Sequence, residues 1–353
     1  MLSVHVNAKT EGSAATLVVL PPRTLSVAPM MDWTDRFCRS FHRIISPNAW
    51  LYTEMVTTGA LIHGDRARFL QYSQSEHPVA YQLGGSEPDD LARCASWVEQ
   101  AGYDEVNLNC GCPSERVQRG AFGACLMAEP KLVADCVKAM CDAVSIDVTV
   151  KHRIGLDHDE SETALHDFIG QVGEAGCRTF IVHARNAILK GLSPKENREI
   201  PPLRYEVVYR LRALFPDYEF LINGGVQTTQ DIAQQLAHVD GVMIGRHAWH
   251  QPWDLQAFDA QCYPSLQASA PAITSRADVL YALKPQVLKW LDEGVPLRVI
   301  VKPWLGLFHG QANGRLFRQR LSNAVELNKN TWSVVEHALD AVLSPTISPD
   351  SSS

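Results

Sequence analysis

The sequence predicts a (β/α)8 TIM barrel, in which eight parallel strands alternate with helices, followed by a small C-terminal all-helical domain. Two observations predict this fold. Eight short apolar runs recur before residue 250, most of them followed by a helical pattern, and polar or small residues stand where each run ends. Runs of this kind are typical of strands buried on both faces. A doubly wound open sheet is the alternative, but it would gather such residues at one switch point.

The eight runs supply the strands in chain order. They are LSVAPM (25–30), AWLYTEM (49–55), HPVAYQLGG (77–85), YDEVNLN (103–109), DVTVKHRIG (147–155), RTFIVHAR (178–185), YEFLINGG (218–225) and DGVMIG (240–245). Helical patterns predict barrel helices at 33–45, 87–101, 130–143, 161–175, 204–214 and 228–237, and later helices at 274–293, 297–308, 312–328 and 331–343. Ser86 and Thr228 are expected to cap two barrel helices, and Gly102 to end one.

Composition suggests where the domains begin and end. Residues 1–23 are expected to form a flexible leader, which lacks the basic start of a signal peptide. The barrel is expected over 24–261, followed by a linker rich in Pro, Ser and Ala over 262–273. The helical domain is then expected over 274–343, with a disordered tail at 344–353.

The bulk composition limits the class of protein. The chain has 353 residues, of which 46% are hydrophobic, and a formal net charge of -7, so a nucleic-acid partner would need a local basic patch. Nine cysteines, an odd number, fit reduced thiols in the cytoplasm better than a disulfide framework. No apolar run is long enough for a membrane span. Nothing in the sequence indicates an obligatory protein partner.

The ends of the last two predicted strands favour a phosphate site. Gly224, Gly225 and Gly245 allow backbone N–H groups to approach an anion, and Arg246 adds a positive charge. TIM barrels often hold phosphate after strands seven and eight, at the start of a short helix. The alternative is that these glycines only serve turns.

Three other strand ends carry side chains suited to a flat heterocycle. Lys151 ends an apolar strand, so its cation needs a partner, either an electron-poor ring edge of the flavin type or a neighbouring carboxylate. His183 can hydrogen-bond a ring carbonyl or a phosphate, although a structural histidine is the common alternative. The amide of Gln82 can both donate and accept.

The segment NLNCGCPSERV (107–117) carries two cysteines after the fourth strand. Cys110 and Cys112 lack the second pair that a zinc site requires, and their spacing is not the CxxC of a thioredoxin-like motif, so no metal is expected. A single thiol over the barrel mouth can act as a general acid, because its ordinary pKa is about 8.5. The alternative is that both are inert small residues.

In chain order, the motifs APMMDWTD, NLNCGCPSERV…GACLM, VKHRIG, VHAR, NGG and IGR resemble those of the tRNA-dihydrouridine synthase family, over residues 24 to 325. GLSPKENREIPPL (191–203) further resembles the A-type bacterial subgroup, the tRNA-dihydrouridine(20/20a) synthases, which act in the D loop of tRNA. The resemblance implies an FMN-dependent TIM barrel with a helical domain that binds tRNA.

The resemblance also implies roles for individual residues. Cys112 would be the general acid. Those that would contact FMN are Pro29, Met30, Met31, Gln82, Lys151, His183, Asn223, Gly224, Gly225, Gly245 and Arg246. Those that would contact the tRNA are Asn109, Arg185, Lys195, Arg198, Lys302, Arg315 and Arg318.

The implied reaction is the reduction of uridine to 5,6-dihydrouridine. NADPH would reduce FMN, a uridine would be flipped into the barrel mouth, hydride would reach carbon 6 and Cys112 would protonate carbon 5. Between 296 and 329, six Lys or Arg residues accompany one acid, Glu326, which suits phosphate contact. Two alternatives stay open: an FMN barrel acting on a small pyrimidine or enoate, and a non-catalytic RNA-binding module.

Overall fold

The protein is represented by a computed structural model that describes residues 5–9, 16–159, 161–266 and 273–343. The tail expected at 344–353 lies outside the described residues, as do 267–272 of the expected linker and parts of the expected leader. Within that leader, His5–Lys9 and Thr16–Leu20 pair as an antiparallel hairpin.

Eight parallel strands close into a barrel, as the sequence predicts. The last strand pairs with the first, Ile244 opposite Val27, and the second pairs with the third, Leu51 opposite Val79. The strands are β1 (Leu25–Val27), β2 (Trp50–Tyr52), β3 (Val79–Gly84), β4 (Glu105–Cys110), β5 (Asp147–Arg153), β6 (Thr179–His183), β7 (Glu219–Asn223) and β8 (Gly241–Ile244). A two-residue strand, Val56–Thr57, also pairs with the end of β3.

Helices surround the barrel, and each predicted barrel helix is present. They are Arg36–Ile45, Pro88–Ala101, Pro130–Ala143, Thr163–Glu174, Tyr205–Leu214 and Thr229–Leu236. Further short helices lie in the loops, at Thr58–His63, Arg66–Phe69, Gln74–Glu76, Glu115–Arg119, Gly123–Ala128, Glu196–Arg198, Arg246–His250 and Asp254–Cys262. Within the described ranges, no helix combines the length and apolar character that a membrane crossing needs.

The helix caps agree with the sequence at two of three positions. Thr228 forms a capping box with Asp231, and Gly102 ends its helix at φ 96°, in the left-handed region that favours glycine. The expected cap at Ser86 is wrong. That helix begins one residue later, with Glu87 in the cap position and Pro88 in the first turn, where the fixed φ of proline suits the helix.

Strand alternation separates two apolar cores. Along β4, Val106 and Leu108 face the surrounding helices, while Glu105, Asn107 and Asn109 point into the barrel, because successive side chains alternate between faces. The interior therefore combines a polar side with a small apolar cluster. That cluster contains Leu20, Ala28, Trp50, Tyr52, Ala80, Ile181, Leu221 and Met243.

Arg23 fills the floor of the barrel. Its side chain is fully buried and pairs with Glu105 at 2.6 Å, with Asp147 at 2.6 Å and with Glu219 at 3.5 Å. The guanidinium also lies 4.3 Å from the ring centroid of Trp50. Arg23 was assigned to the expected leader, so the end of that segment is part of the barrel floor.

The residues after the barrel fold into helices that pack on the helix following β1. Trp290 meets Phe37 edge to face, with ring centroids 4.8 Å apart. The described elements are Arg276–Asp292, Leu297–Ile300, Lys302–Gly306, Gly314–Arg320, Ala324–Leu327 and Ser333–Leu343. The continuous helices expected at 297–308 and 312–328 are therefore wrong, because a separate 3-10 helix begins at Lys302 with Pro303 in its first turn, and Asn323 caps a new helix.

Candidate active site

A cavity of about 850 Å³ opens at the C-terminal ends of the strands. Its wall includes every residue that the sequence assigned to a cofactor: Pro29, Met30, Met31, Gln82, Lys151, His183, Asn223, Gly224, Gly225, Gly245 and Arg246. Cys112, Asn109 and Arg198 also line it. Because the C-terminal ends of the barrel strands meet at one mouth, residues that are far apart in the chain lie together there.

The ends of β7 and β8 form a glycine-lined corner. Gly224 has φ 114° and Gly225 has φ 75°, both in the left-handed region. A Cβ at Gly224 would lie 2.8 Å from Cδ2 of His183, so that position also needs glycine for space. Gly245 has an ordinary φ of -98°, and an added Cβ would meet nothing nearer than 4.0 Å. The corner leaves room for a ligand to approach the backbone.

Arg246 stands at this corner but already has partners. Its Nη1 donates to Oε1 of Glu199 at 2.6 Å, and its Nη2 donates to the carbonyl of Arg198 at 3.2 Å. A phosphate held by Arg246 would therefore share the guanidinium with the loop that follows β6.

Lys151 points into the cavity from the end of β5. Its Nζ donates to Oδ1 of Asn223 at 3.0 Å, and Asn223 in turn donates to the carbonyl of Met243 at 2.8 Å. Burial, reinforced by the nearby cation of Arg153, lowers the pKa of Lys151 to about 7. Among the ion pairs of the described residues none includes Lys151, so the alternative of a carboxylate partner finds no support.

His183 is a neutral imidazole at the same level of the barrel. Burial, and then the cations of Arg153, Lys151, Arg185 and Arg198, lower its pKa well below the ordinary value. A neutral ring keeps one N–H donor and one acceptor nitrogen, so His183 can bind a polar ligand without adding charge.

The two cysteines of the NLNCGC segment differ in environment. Cys110 ends β4, is fully buried, and has a pKa raised well above the ordinary value by burial. Cys112 is half-buried, lines the cavity, and has its Sγ 3.6 Å from Oγ of Ser114. All nine cysteines are free thiols, and within the described ranges no group of three or more His, Cys, Asp or Glu side chains is arranged to hold a metal.

Backbone contacts hold the loop of Cys112 in place. Oδ1 of Asn109 accepts from the N–H of Gly111 at 3.2 Å and from that of Cys112 at 3.0 Å. The carbonyl of Cys112 accepts from the N–H of Ala124 at 2.9 Å. The thiol is therefore presented from a fixed turn rather than from a free loop.

Arg153 is a further functional candidate that the sequence reasoning did not assign to the site. Its Nε donates to the carbonyl of Gly111 at 3.1 Å, and its Nη1 donates to the carbonyls of Asn186 at 3.2 Å and Asn197 at 3.0 Å. It therefore ties the Cys112 loop to the loop after β6. The sequence feature that could have identified Arg153 is its spacing in VKHR. Arg153 follows Lys151 by two residues, which places both side chains on the same face of β5.

The residues expected to contact tRNA lie around the cavity rather than within it, apart from Asn109 and Arg198. Arg185 is half-buried and donates to the carbonyls of Glu199 and Pro201. The exposed members of the set are Lys195, Arg198, Lys302, Arg315 and Arg318. Their side chains are accessible to a large ligand.

The basic side of the helical domain lies next to the mouth of the barrel. Gly306 of the helical domain packs against the helix that follows β8, because a Cβ added at Gly306 would lie 2.5 Å from the carbonyl oxygen of His250. Arg246 begins that helix at the cavity, and Arg318 lies on the helical domain, where its Nε donates to the carbonyl of Leu305, next to Gly306, at 3.2 Å. A large anion can therefore touch both regions at once.

The chain is similar to known proteins over most of its length. Residues 26–343 match the family model described as "Dihydrouridine synthase (Dus)". Two relatives, each named tRNA-dihydrouridine(20/20a) synthase, are a Pseudomonas aeruginosa protein, 56% identical over 90% of this chain and 95% of its own length, and a Yersinia pestis protein, 50% identical over 97% and 98%. A relative with the same name from Xanthomonas campestris is 52% identical over 89% of this chain and 92% of its own. This chain belongs to the dihydrouridine synthase family.

Proposed function

We propose that this protein reduces uridine to 5,6-dihydrouridine at positions 20 and 20a in the D loop of tRNA, as an enzyme of the cytoplasm. The observation that carries the proposal is the single cavity wall shared by the amine of Lys151, the glycine corner of Gly224 and Gly225, and the accessible thiol of Cys112. The names of the relatives and the family match support the same activity.

The donor set of this cavity fits FMN. Lys151 offers an amine whose charged form suits the electron-poor edge of the ring, Gln82 offers an amide, and the glycine corner beside Arg246 suits the phosphate. When bound, FMN supplies the hydride for carbon 6 of uracil, with NADPH as the reductant that renews it.

Cys112 is proposed to hold the proton that reaches carbon 5 of uracil. The thiol lies on a loop over the cavity, fixed through the backbone by Asn109 and through Gly111 by Arg153. A thiol held in a fixed position beside the reacting base can act as a general acid. Asn109 is proposed to contact the base, because its amide lines the same wall.

The tRNA is proposed to lie across the barrel mouth and the helical domain. A flipped uridine would enter the cavity, while Lys195, Arg198, Lys302, Arg315 and Arg318 would contact the phosphates. Arg185 is proposed to act at the edge of the mouth. The packing of Gly306 against His250, which joins the helical domain to the barrel mouth, supports this path.

The deciding experiment incubates FMN-loaded protein with NADPH and unmodified tRNA, and maps dihydrouridine by mass spectrometry of nuclease fragments. Dihydrouridine at positions 20 and 20a is expected. Turnover of a free pyrimidine or an enoate without any dihydrouridine in the tRNA would refute the proposal. A protein that takes up no FMN would refute it as well, and would favour an RNA-binding module.

A further inference from the structure

A continuous chain of buried hydrogen bonds runs through the barrel from the floor to the loop of Cys112. It begins at Glu105, which pairs with Arg23 at the floor. Its links are Thr149 Oγ1 to Glu105 at 2.6 Å, Asn107 Nδ2 to Thr149 Oγ1 at 2.8 Å, Gln82 Nε2 to Asn107 Oδ1 at 2.7 Å, and Asn109 Nδ2 to Gln82 Oε1 at 2.9 Å. Asn109 Oδ1 then accepts from the backbone N–H of Cys112 at 3.0 Å.

The chemistry of Glu105 gives this chain one direction. Oε2 of Glu105 accepts from Nε of Arg23 at 2.6 Å inside the barrel, and a carboxylate paired with a guanidinium in this way only accepts hydrogen bonds. Thr149 must therefore donate its hydroxyl proton to Glu105, and its oxygen is left to accept from Asn107.

The same logic passes along the amides. Asn107 donates from its NH2 group to Thr149, so its side-chain oxygen faces Gln82. Gln82 must therefore donate from its own NH2 group to that oxygen. Gln82 then presents its oxygen to Asn109, and Asn109 presents its oxygen to the backbone of Gly111 and Cys112. A flip of any one amide would set two acceptors or two donors against each other at its neighbours.

We propose that Glu105, Thr149 and Asn107 are positioning residues: acting through the chain, they fix which end of the Gln82 and Asn109 amides faces the cavity and hold the turn that presents Cys112. Each of those two amides has its oxygen engaged within the chain and one N–H hydrogen left over. The chain thereby makes this part of the wall a donor surface, suited to the carbonyl or imine acceptors of flat heterocycles. The inference deepens the proposed function and rests on it.

Two substitutions next to Glu105 form a matched pair that tests the hydrogen-bond chain. Oε1 of Glu105 accepts from Thr149 at 2.6 Å and also from the hydroxyl of Tyr52 at 2.7 Å. Thr149→Val and Tyr52→Phe each remove one hydrogen bond from the same buried oxygen. Only Thr149 continues toward Gln82 and Asn109, so a purely structural role would make the two variants behave alike.

Three measurements are made on both variants and on Thr149→Ser, which keeps the hydroxyl. They are the dissociation constant of FMN, the alkylation rate of Cys112 by iodoacetamide in the flavin-free protein, and kcat on unmodified tRNA. For Thr149→Val we expect FMN affinity about tenfold weaker, a shifted alkylation rate, and kcat lower by about tenfold to a hundredfold. Thr149→Ser should restore most of each value, and Tyr52→Phe should stay within about twofold of the natural protein.

Equal behaviour of Thr149→Val and Tyr52→Phe in all three measurements would overturn the inference. If Thr149→Val does not fold, Thr149→Cys replaces it, since its S–H is a weak donor and a weak acceptor, and wild-type values for that variant would be equally fatal. If the natural protein makes no dihydrouridine, the proposed function fails. FMN affinity and Cys112 alkylation still test the role of the hydrogen-bond chain in that case.

Discussion

At the residue scale, the position of a side chain relative to the strand end decides its chemistry. Cys110 and Cys112 are two residues apart, but the first is the last residue of β4 and packs against the outer helices. Its thiol is fully buried and keeps its proton, because burial raises its pKa. Cys112 lies beyond the strand, on the turn that covers the cavity, and is the accessible thiol of the pair.

We expect Cys112→Ala to retain FMN and lose nearly all product formation, by about 10²- to 10⁴-fold in kcat, because a positioned general acid contributes that much. The measurement is dihydrouridine formed per flavin in single-turnover reactions. Cys110→Ala is the control, since it removes a thiol of the same segment from the outer core. Its turnover should stay close to that of the natural protein, and full activity of Cys112→Ala would disprove the acid role.

Lys151 should make ligand binding depend on pH. Its pKa is lowered to about 7 in the ligand-free cavity, so the folded protein loses this proton as pH rises above about 7, while the unfolded chain keeps it to near 10.5. An anionic ligand favours the charged form, so binding above pH 7 should take up a proton, and affinity should fall by up to about tenfold per pH unit.

Calorimetry of FMN binding at pH 8, in two buffers with different ionisation enthalpies, measures this proton uptake. Lys151→Met is the control, and it should bind more weakly with no proton uptake from this site. Equal uptake by the variant and the natural protein would place the titrating group elsewhere.

Strand-end residues were predictable from sequence because the polar positions interrupt apolar runs. Gln82, Asn109 and Lys151 were found in this way. Glu105 and Thr149 were not, because they lie inside their strands, where a continuous buried run was expected. The period-two spacing of Glu105, Asn107 and Asn109 in EVNLN was the available signal, and it shows that the barrel interior is polar on this side.

At the element scale, long periodic helices were predictable and short ones were not. The six barrel helices appeared within a few residues of their predicted bounds. The helices Thr58–His63 and Arg66–Phe69 after β2 are too short to show a repeat, so periodicity could not predict them. The predicted helix at 312–328 breaks because Asn323 accepts from two N–H groups and starts a new turn.

The helix Gly314–Arg320 carries the next prediction. Arg315 and Arg318 lie three residues apart and are exposed, so they share one face of this helix. Arg315→Ala and Arg318→Ala should each weaken tRNA binding at low salt and reduce the slope of log affinity against log salt by about 1. The measurement is tRNA affinity at several salt concentrations.

Lys138→Ala is the control for these variants, because Lys138 is exposed on the outer helix after β4 and pairs with Asp142. It should leave the salt slope unchanged. If the salt dependence of tRNA affinity is the same for the two arginine variants as for the natural protein, Arg315 and Arg318 do not contact the RNA.

At the scale of the whole molecule, one apolar core joins the barrel to the helical domain. It runs without a break from the outer faces of the strands to Trp290, Trp304 and Phe317. The sequence distinguished the two parts by their patterns but gave no sign of this continuity. The continuity of the core depends on packing between residues far apart in the chain, such as Phe37 and Trp290. Contacts of this kind leave no local pattern in the sequence.

Because of that shared core, the two parts should unfold together. Trp290→Ala should lower the free energy of unfolding by about 3–5 kcal/mol, since Trp290 is buried and fills the interface. Leu288→Ala, at an exposed position of the same helix, should change it by about 0.5 kcal/mol or less. Denaturant titration followed by circular dichroism measures both, and two separate transitions for the natural protein would contradict a shared core.

Charge is distributed unevenly over the molecule. The net charge is -7, but cations of Lys151, Arg153, Arg185 and Arg198 act together on His183 at the barrel mouth. The overall negative charge discourages nonspecific association with nucleic acid, while the local positive field attracts a polyanion to one end of the barrel. This end is where the proposed tRNA path begins.

Arg23 and its three carboxylate partners close the floor of the barrel. The large cavity therefore opens to solvent at the C-terminal ends of the strands. Under the proposed function, the reductant and the RNA share this one opening, so we expect each to leave before the other binds. Steady-state rates measured at several fixed concentrations of one substrate should give parallel double-reciprocal lines, the kinetic sign of two separate half-reactions.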